Sequence, residues 1–120
     1  MPSEYWARQC YLGASILNKP DAEERAAGVR NMMWGADYPH TEGCHPYTAE
    51  SLRWTFGDVP PEDTELMLGR NAADVYGFDH DGLQAVADRI GPTVAELSEG
   101  LSVDDIPRDA ETHAFGMVPV

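Results

Sequence analysis

Asn31-Met32-Met33-Trp34-Gly35-Ala36-Asp37-Tyr38-Pro39-His40 is the stretch that decides how this chain folds. Residues suited to a buried strand run straight into a carboxylate, an aromatic ring, a proline and an imidazole. Chemically capable side chains are presented in this way at the carboxyl end of a parallel strand, where the chain leaves the sheet. Asp37 is therefore the first functional candidate. A carboxylate held rigidly there can ligate a divalent metal or accept a proton; the competing reading is an Asp that caps the turn after the strand.

Upstream, Ser3 is placed to cap a short helical turn carrying Tyr5 and Trp6. Cys10 to Leu17 has the small and β-tolerant residues of a short buried strand, with a helix as the alternative that periodicity alone leaves open. After Pro20, Asp21 to Gly28 has acid in its first turn and glycine at its end, which predicts a compact helix. Residues 10 to 36 thus read as strand, helix, strand. The strands, over roughly 9–16 and 30–36, should run parallel through a right-handed crossover.

Downstream, residues 40–46 form a loop punctuated by Gly43 and Pro46 and carrying Thr41, Glu42, Cys44 and His45. Thr48 is expected to cap a helix running to about Gly57, with Leu52 and Phe56 on its buried stripe and Glu50 and Arg53 facing water. Pro60-Pro61-Glu62-Asp63 opens a second helix toward Tyr76. Leu68, Ala72, Val75 and Tyr76 should share its buried face, and Gly77 should close it in the left-handed conformation. Asp79 or His80 starts a third helix on Leu83, Val86, Ala87 and Ile90, and Gly91-Pro92 stops it. Thr93-Val94-Ala95-Glu96 is a capping box for a fourth. From Leu101 the sequence is acidic and aperiodic, and is expected to be an arm that packs on something larger or on nothing.

The 120 residues are a one-domain length. Eight Lys+Arg against 21 Asp+Glu give a net charge of −13, which repels phosphate backbones and anionic lipid, so neither nucleic acid nor membrane is an expected partner. Cys10 and Cys44 have no Cys-x-x-Cys spacing, there is no apolar leader behind a basic start, and no apolar run approaches the roughly 20 residues of a membrane span. A soluble, cytoplasmic protein is expected.

Two stretches also carry a family resemblance. Met33-Trp34-Gly35-Ala36-Asp37-Tyr38-Pro39-His40 is similar to an apolar-apolar-Gly-Ser/Thr-Asp-Tyr/Phe-Pro-His signature. Leu68-Gly69-Arg70-Asn71-Ala72-Ala73-Asp74-Val75-Tyr76-Gly77-Phe78 resembles a closing Leu-Gly-x-Asn-Ala-x-x-x-Tyr/Phe-Gly helix. Both belong to the amidohydrolase-related (amidohydrolase 2) family of metal-dependent TIM-barrel hydrolases and decarboxylases, and two motifs in order are far more specific than one. Pro2 to Ala14 resembles the segment around that family's seventh strand, and Asp79 to Ile106 a C-terminal extension found in one branch.

A full (β/α)8 barrel takes about 250 residues. The resemblance therefore implies an α/β chain that is the C-terminal portion of such a barrel, mainly helical with two short parallel strands. Residues 1–78 would hold the last strands and helices, and 79–120 a helical extension and acidic tail. Asp37 would be the eighth-strand aspartate, both metal ligand and catalytic acid/base. The complete enzyme would use a divalent metal, zinc or similar, on a small carboxylated or amide-bearing substrate.

The departures from the family pattern limit what the chain can do alone. The family's His-x-His or Glu-x-His pair and its later histidines precede the matching segment, and His40, His45, His80 and His113 include no His-x-His. Ala36 replaces the usual hydroxyl residue, removing a hydrogen bond behind the site. The isolated chain is thus expected to be inactive, to hold no metal tightly, and to associate with an N-terminal barrel half or with itself. The rival is a non-catalytic module that contributes structure or an interface to a partner chain. Asp37, His40, Cys44 and His45 are all competent zinc ligands, but adjacent Cys44 and His45 rarely converge on one ion, and a solvated rim loop is the better reading. Cys44 as nucleophile has only His45 at hand as base. Asn71, inside a helix, reads as an amide held by a structural bond, and Trp34 as core.

Overall fold

The computed structural model contains two short parallel strands, with β1 (Leu12–Ala14) pairing Leu12 to Met32 and Gly13 to Met33 of β2 (Met32–Trp34). The structure describes residues 1–14, 19–110 and 115. The parallel pair is as expected, but shorter. Upstream residues are taken by helix α1 (Pro2–Gln9), which starts one residue before Ser3 because proline suits a first helical turn, and Cys10 caps its end by donating its N–H to Trp6 O at 3.2 Å. Ser15, Ile16 and Leu17 of the expected strand lie outside the described residues.

The crossover is α2 (Ala22–Gly28), and its start is set by a reciprocal cap. Asp21 accepts from the backbone N–H of Glu23 and Glu24 at 2.8 Å, and Glu24 accepts from the Asp21 N–H at 2.9 Å. A 3-10 turn over Val29–Asn31 then feeds β2. The turn is held from both sides by asparagine amides. Asn71 Nδ2 donates to Val29 O at 2.8 Å and Met32 O at 2.7 Å, while Asn31 Nδ2 donates to Cys10 O at 2.7 Å and Trp6 O at 3.2 Å. The structural reading of Asn71 is borne out.

Helix α3 (Thr48–Phe56) buries Leu52 and Phe56 as expected, but Thr48 is its first residue rather than its cap. The Thr48 hydroxyl is instead engaged by the Cys44 thiol at 3.4 Å, which leaves Tyr47 in the cap position. Arg53 does not simply face water, since its Nε is buried without a hydrogen-bond partner. The next helix is interrupted: α4 (Pro61–Glu65) passes through a π-helical turn over Leu66–Arg70 into α5 (Asn71–Tyr76). A π turn accommodates an extra residue and rotates everything after it relative to a regular helix. The buried positions are consequently Thr64, Met67, Asn71 and Ala73, while Val75 and Tyr76, expected inside, are exposed. Gly77 closes α5 at φ 68°, the left-handed conformation expected of it.

Helix α6 (His80–Ile90) is capped by Asp79, which accepts from Gly82 N at 3.2 Å. Its apolar stripe of Leu83, Val86 and Ile90 points outward instead of into the core. Helix α7 (Val94–Ser98) follows the expected capping box, and the Thr93 N–H and hydroxyl, at 2.7 and 2.8 Å, hold the Glu96 carboxyl below its ordinary range. The acidic C-terminal segment is not a free arm. It makes a 3-10 turn over Val103–Asp105 and returns to bury Phe115.

Trp34 joins two apolar clusters. One gathers Leu52, Phe56, Val59, Met67 and Leu97 behind β2; the other gathers Cys44 and Phe115 beyond its end. Arg25 of α2 also pairs with Asp63 of α4 at 3.1 Å, both largely shielded. Among the described residues no helix is long and apolar enough to cross a membrane.

Replacing Asn71 by Ala removes the side-chain donor from Val29 O, which keeps only the Met32 N–H, and from Met32 O, and should lower stability by about 1–3 kcal/mol. Denaturant unfolding is the check, with a far-UV spectrum unchanged before the transition.

Candidate functional site

Asp37 stands three residues past the end of β2 and is the non-glycine residue with a left-handed backbone, at φ 53°, among those described. Aspartate tolerates this region better than most residues, and the turn uses the main chain to close. Asp37 O accepts from His40 N at 2.8 Å, His40 O accepts from Gly43 N at 3.0 Å, and Ala36 O accepts from Cys44 N at 3.1 Å. The Asp37 carboxylate meets the His40 ring instead, Oδ1 to Nδ1 at 3.1 Å. Its side chain is 32% exposed and that of His40 67%. The peptides before Pro39 and Pro46 are both cis.

Of the four loop ligands considered from sequence, the fold brings together Asp37 and His40 and separates the other two. Cys44 is buried, with its thiol directed at Ala36 O (3.6 Å) and Thr48 Oγ1 (3.4 Å). His45 packs edge-on against the Tyr38 ring at 5.1 Å between centroids. Glu42 takes their place: one ligand atom from each of Asp37, His40 and Glu42 lies within 4.8 Å of the others. Glu42 carried no signal in the sequence beyond the Gly43 that follows it and lets the loop curl. His80 faces its neighbour Asp81 at 3.8 Å, apart from this group, and His113 lies outside the described residues.

Aspartate, histidine and glutamate are a suitable donor set for a divalent ion, and the 3.1 Å between Asp37 and His40 is close to the roughly 3.3 Å edge of a tetrahedral zinc site. The set is nonetheless open, because His40 and Glu42 are exposed side chains on a turn and only Asp37 is anchored next to the strand. These residues fit a metal as contributors to its coordination, with Asp37 foremost.

Beside them an open cavity of about 380 Å³ is lined by Tyr38, His40, Thr41, His45, Tyr47 and Asp109, among others. That size suits a small molecule. The Tyr47 phenol is pushed above the ordinary tyrosine value by its hydrogen bond to Asp109, then by burial, then by the charges of Asp109 and Glu50. Nothing local in the sequence pairs Tyr47 with Asp109, since the contact depends on the return of the C-terminal segment.

Gly43 is required where the loop closes. A Cβ there would sit 2.7 Å from Ala36 O, 2.8 Å from Asp37 O and 3.0 Å from His40 O, all main-chain atoms that cannot swing aside. Gly43→Ala should therefore cost about 1–3 kcal/mol in thermal or denaturant unfolding, and its NMR perturbations should centre on residues 36–44.

Comparison with known protein families matches residues 20–78 to the family described as amidohydrolase. Neither the comparison with curated proteins nor that with solved structures finds a match. The matched residues run from the start of the crossover helix, through β2 and the Asp37 loop, to the glycine-capped end of α5, so both stretches that carry the resemblance fall inside them. Over residues 20–78, just under half of its length, this chain is similar to the amidohydrolase family.

Proposed function

We propose that this chain supplies the eighth-strand aspartate and the closing helices of a metal-dependent, amidohydrolase-type barrel enzyme, which hydrolyses or decarboxylates a small molecule bearing an amide or carboxylate. The observation that carries the reading is the Asp37 carboxylate, set just beyond β2 on a left-handed backbone, bonded to His40 and lying within the family segment. Asp37 would hold the metal, with His40 and Glu42 nearest to assist. A divalent ion bound there supplies Lewis acidity toward a substrate oxygen and acidifies bound water. The part played by this chain is proton management. Asp37 accepts a proton and returns it, and the Nδ1–H of His40 orients the carboxylate that does so. Tyr38 and His45, packed edge to face, form one wall of the neighbouring cavity.

The remaining ligands would come from an N-terminal barrel half, in a longer chain or a second one. The exposed Tyr11 and Leu12 on the β1 side support this, because apolar surface next to a short strand pair is where further strands would pack.

In the assembled enzyme Asp37→Asn keeps size and removes charge, and turnover should fall by about two to four orders of magnitude with the thermal midpoint held. His40→Ala should be milder. Near-normal turnover in Asp37→Asn, or loss that tracks unfolding, would return Asp37 to the role of turn cap. The isolated chain, analysed for metal after dialysis, should hold far less than stoichiometric zinc; about one ion per chain would mean that the loop closes a site by itself.

A further inference from the structure

The loop that carries Asp37 has no regular secondary structure between β2 and α3, so its shape must be imposed by what covers it. Part of the cover is local: the Ala36–Cys44 hydrogen bond draws the two ends of the turn together. The rest comes from the far end of the chain. Cys44 is 3% exposed and Phe115 2%, and they form one buried pair into which Leu101, Ile106 and Ala110 of the C-terminal segment also pack. A little further along the loop, the Tyr47 phenol bonds to the Asp109 carboxylate, which lines the same cavity as Tyr38, His40 and His45. An apolar plug and a hydrogen bond thus grip the C-terminal part of the loop from the same segment.

We infer that Phe115 and Asp109 are positioning residues, and that the C-terminal segment is a strap that fixes the Asp37–His40 loop in its working geometry. The functional meaning of this strap rests on the proposed role of Asp37, whereas its existence does not. The alternative is that Phe115 merely fills the core and the loop holds itself. The two differ in one respect: a strap opens locally, exposing Cys44 while the rest stays folded, and a core filler exposes Cys44 only by global unfolding.

The two cysteines make this measurable on the 120-residue chain, because Cys10 is exposed and Cys44 buried. With an aromatic disulfide reagent under native conditions, Cys10 should react fast and Cys44 slowly. Phe115→Ala should speed Cys44 at least about tenfold through local opening, with the Cys10 rate and the far-UV spectrum unchanged. Tyr47→Phe, which deletes one hydroxyl, should speed it by about two- to fivefold. Leu97→Ala, in the other cluster, should lower the thermal midpoint yet leave Cys44 slow. A Cys44 that stays slow in Phe115→Ala, or that Leu97→Ala frees as much, overturns the strap. If Phe115→Ala loses its helical spectrum, Phe115→Leu and Tyr47→Phe decide, and unchanged Cys44 rates in both overturn it. Asp37→Asn should leave every thiol rate alone, so failure of the Asp37 reading shows separately.

The phenol supplies an independent readout. Asp109→Asn should lower the Tyr47 titration, followed by the NMR signals of its ring, toward the ordinary tyrosine range, with burial and Glu50 keeping part of the rise. In the unsubstituted chain the raised value means that this contact stabilises the fold below the ordinary tyrosine pKa and ceases to do so as pH climbs through the raised one. A Tyr47 titration unmoved by Asp109→Asn overturns the contact.

Discussion

The carboxamide of Asn71 is the constraint on which the rest of this structure depends. Two three-residue strands cannot sustain a sheet in water, and the turn that delivers β2 is closed internally by a single bond, from Met32 N–H to Val29 O. Asn71 gives both its amide hydrogens to that turn, at Val29 O and Met32 O, and Asn31 reaches the other way to the end of α1. Buried main-chain acceptors are costly to leave unpaired, so these amides set where α5 and α1 lie against the strand.

The π turn at Leu66–Arg70 sits immediately before Asn71. It introduces the angular offset that separates Met67, which packs into the core with Leu52 and Phe56, from Asn71, which aims at β2. Val75 and Tyr76 are carried outward by the same offset. With β2 fixed in this way, the chain beyond it begins from a defined point, and the carboxylate of Asp37 is delivered next to a strand whose own position is over-determined.

Acidity shapes the remaining contacts. Eight basic residues cannot neutralise 21 carboxylates, and many of the acids that matter find neutral donors. Asp21, Asp79 and Glu96 accept from main-chain N–H groups at helix starts, Asp109 from a phenol, and Asp37 from an imidazole. Capping absorbs negative charge where the helix dipole favours it. The C-terminal segment, which looked too acidic to pack, is tolerated because the buried residue among those described in it is Phe115 and its Asp109 meets a hydroxyl.

What could be read from the sequence was local chemistry. Asp21 and Thr93 announce their helices because a cap is satisfied within three residues, Gly77 announces a left-handed stop, and the strand–loop grammar around Asp37 singles out a candidate site residue inside the stretch that matches the family. What remained hidden was long-range. The π turn is a response to two partners that the helix meets at once; the outward stripe of α6 depends on what α6 fails to meet. Glu42 joins Asp37 and His40 only because the loop curls on Gly43, and Cys44 leaves the ligand set because its thiol is wanted by Thr48. Phe115 and Asp109 reach the site across more than sixty residues of intervening chain. Side-chain type and spacing encode contacts closed within a turn or two, whereas these contacts exist only once distant segments have been brought together and the entropy of closing the loop between them has been overcome.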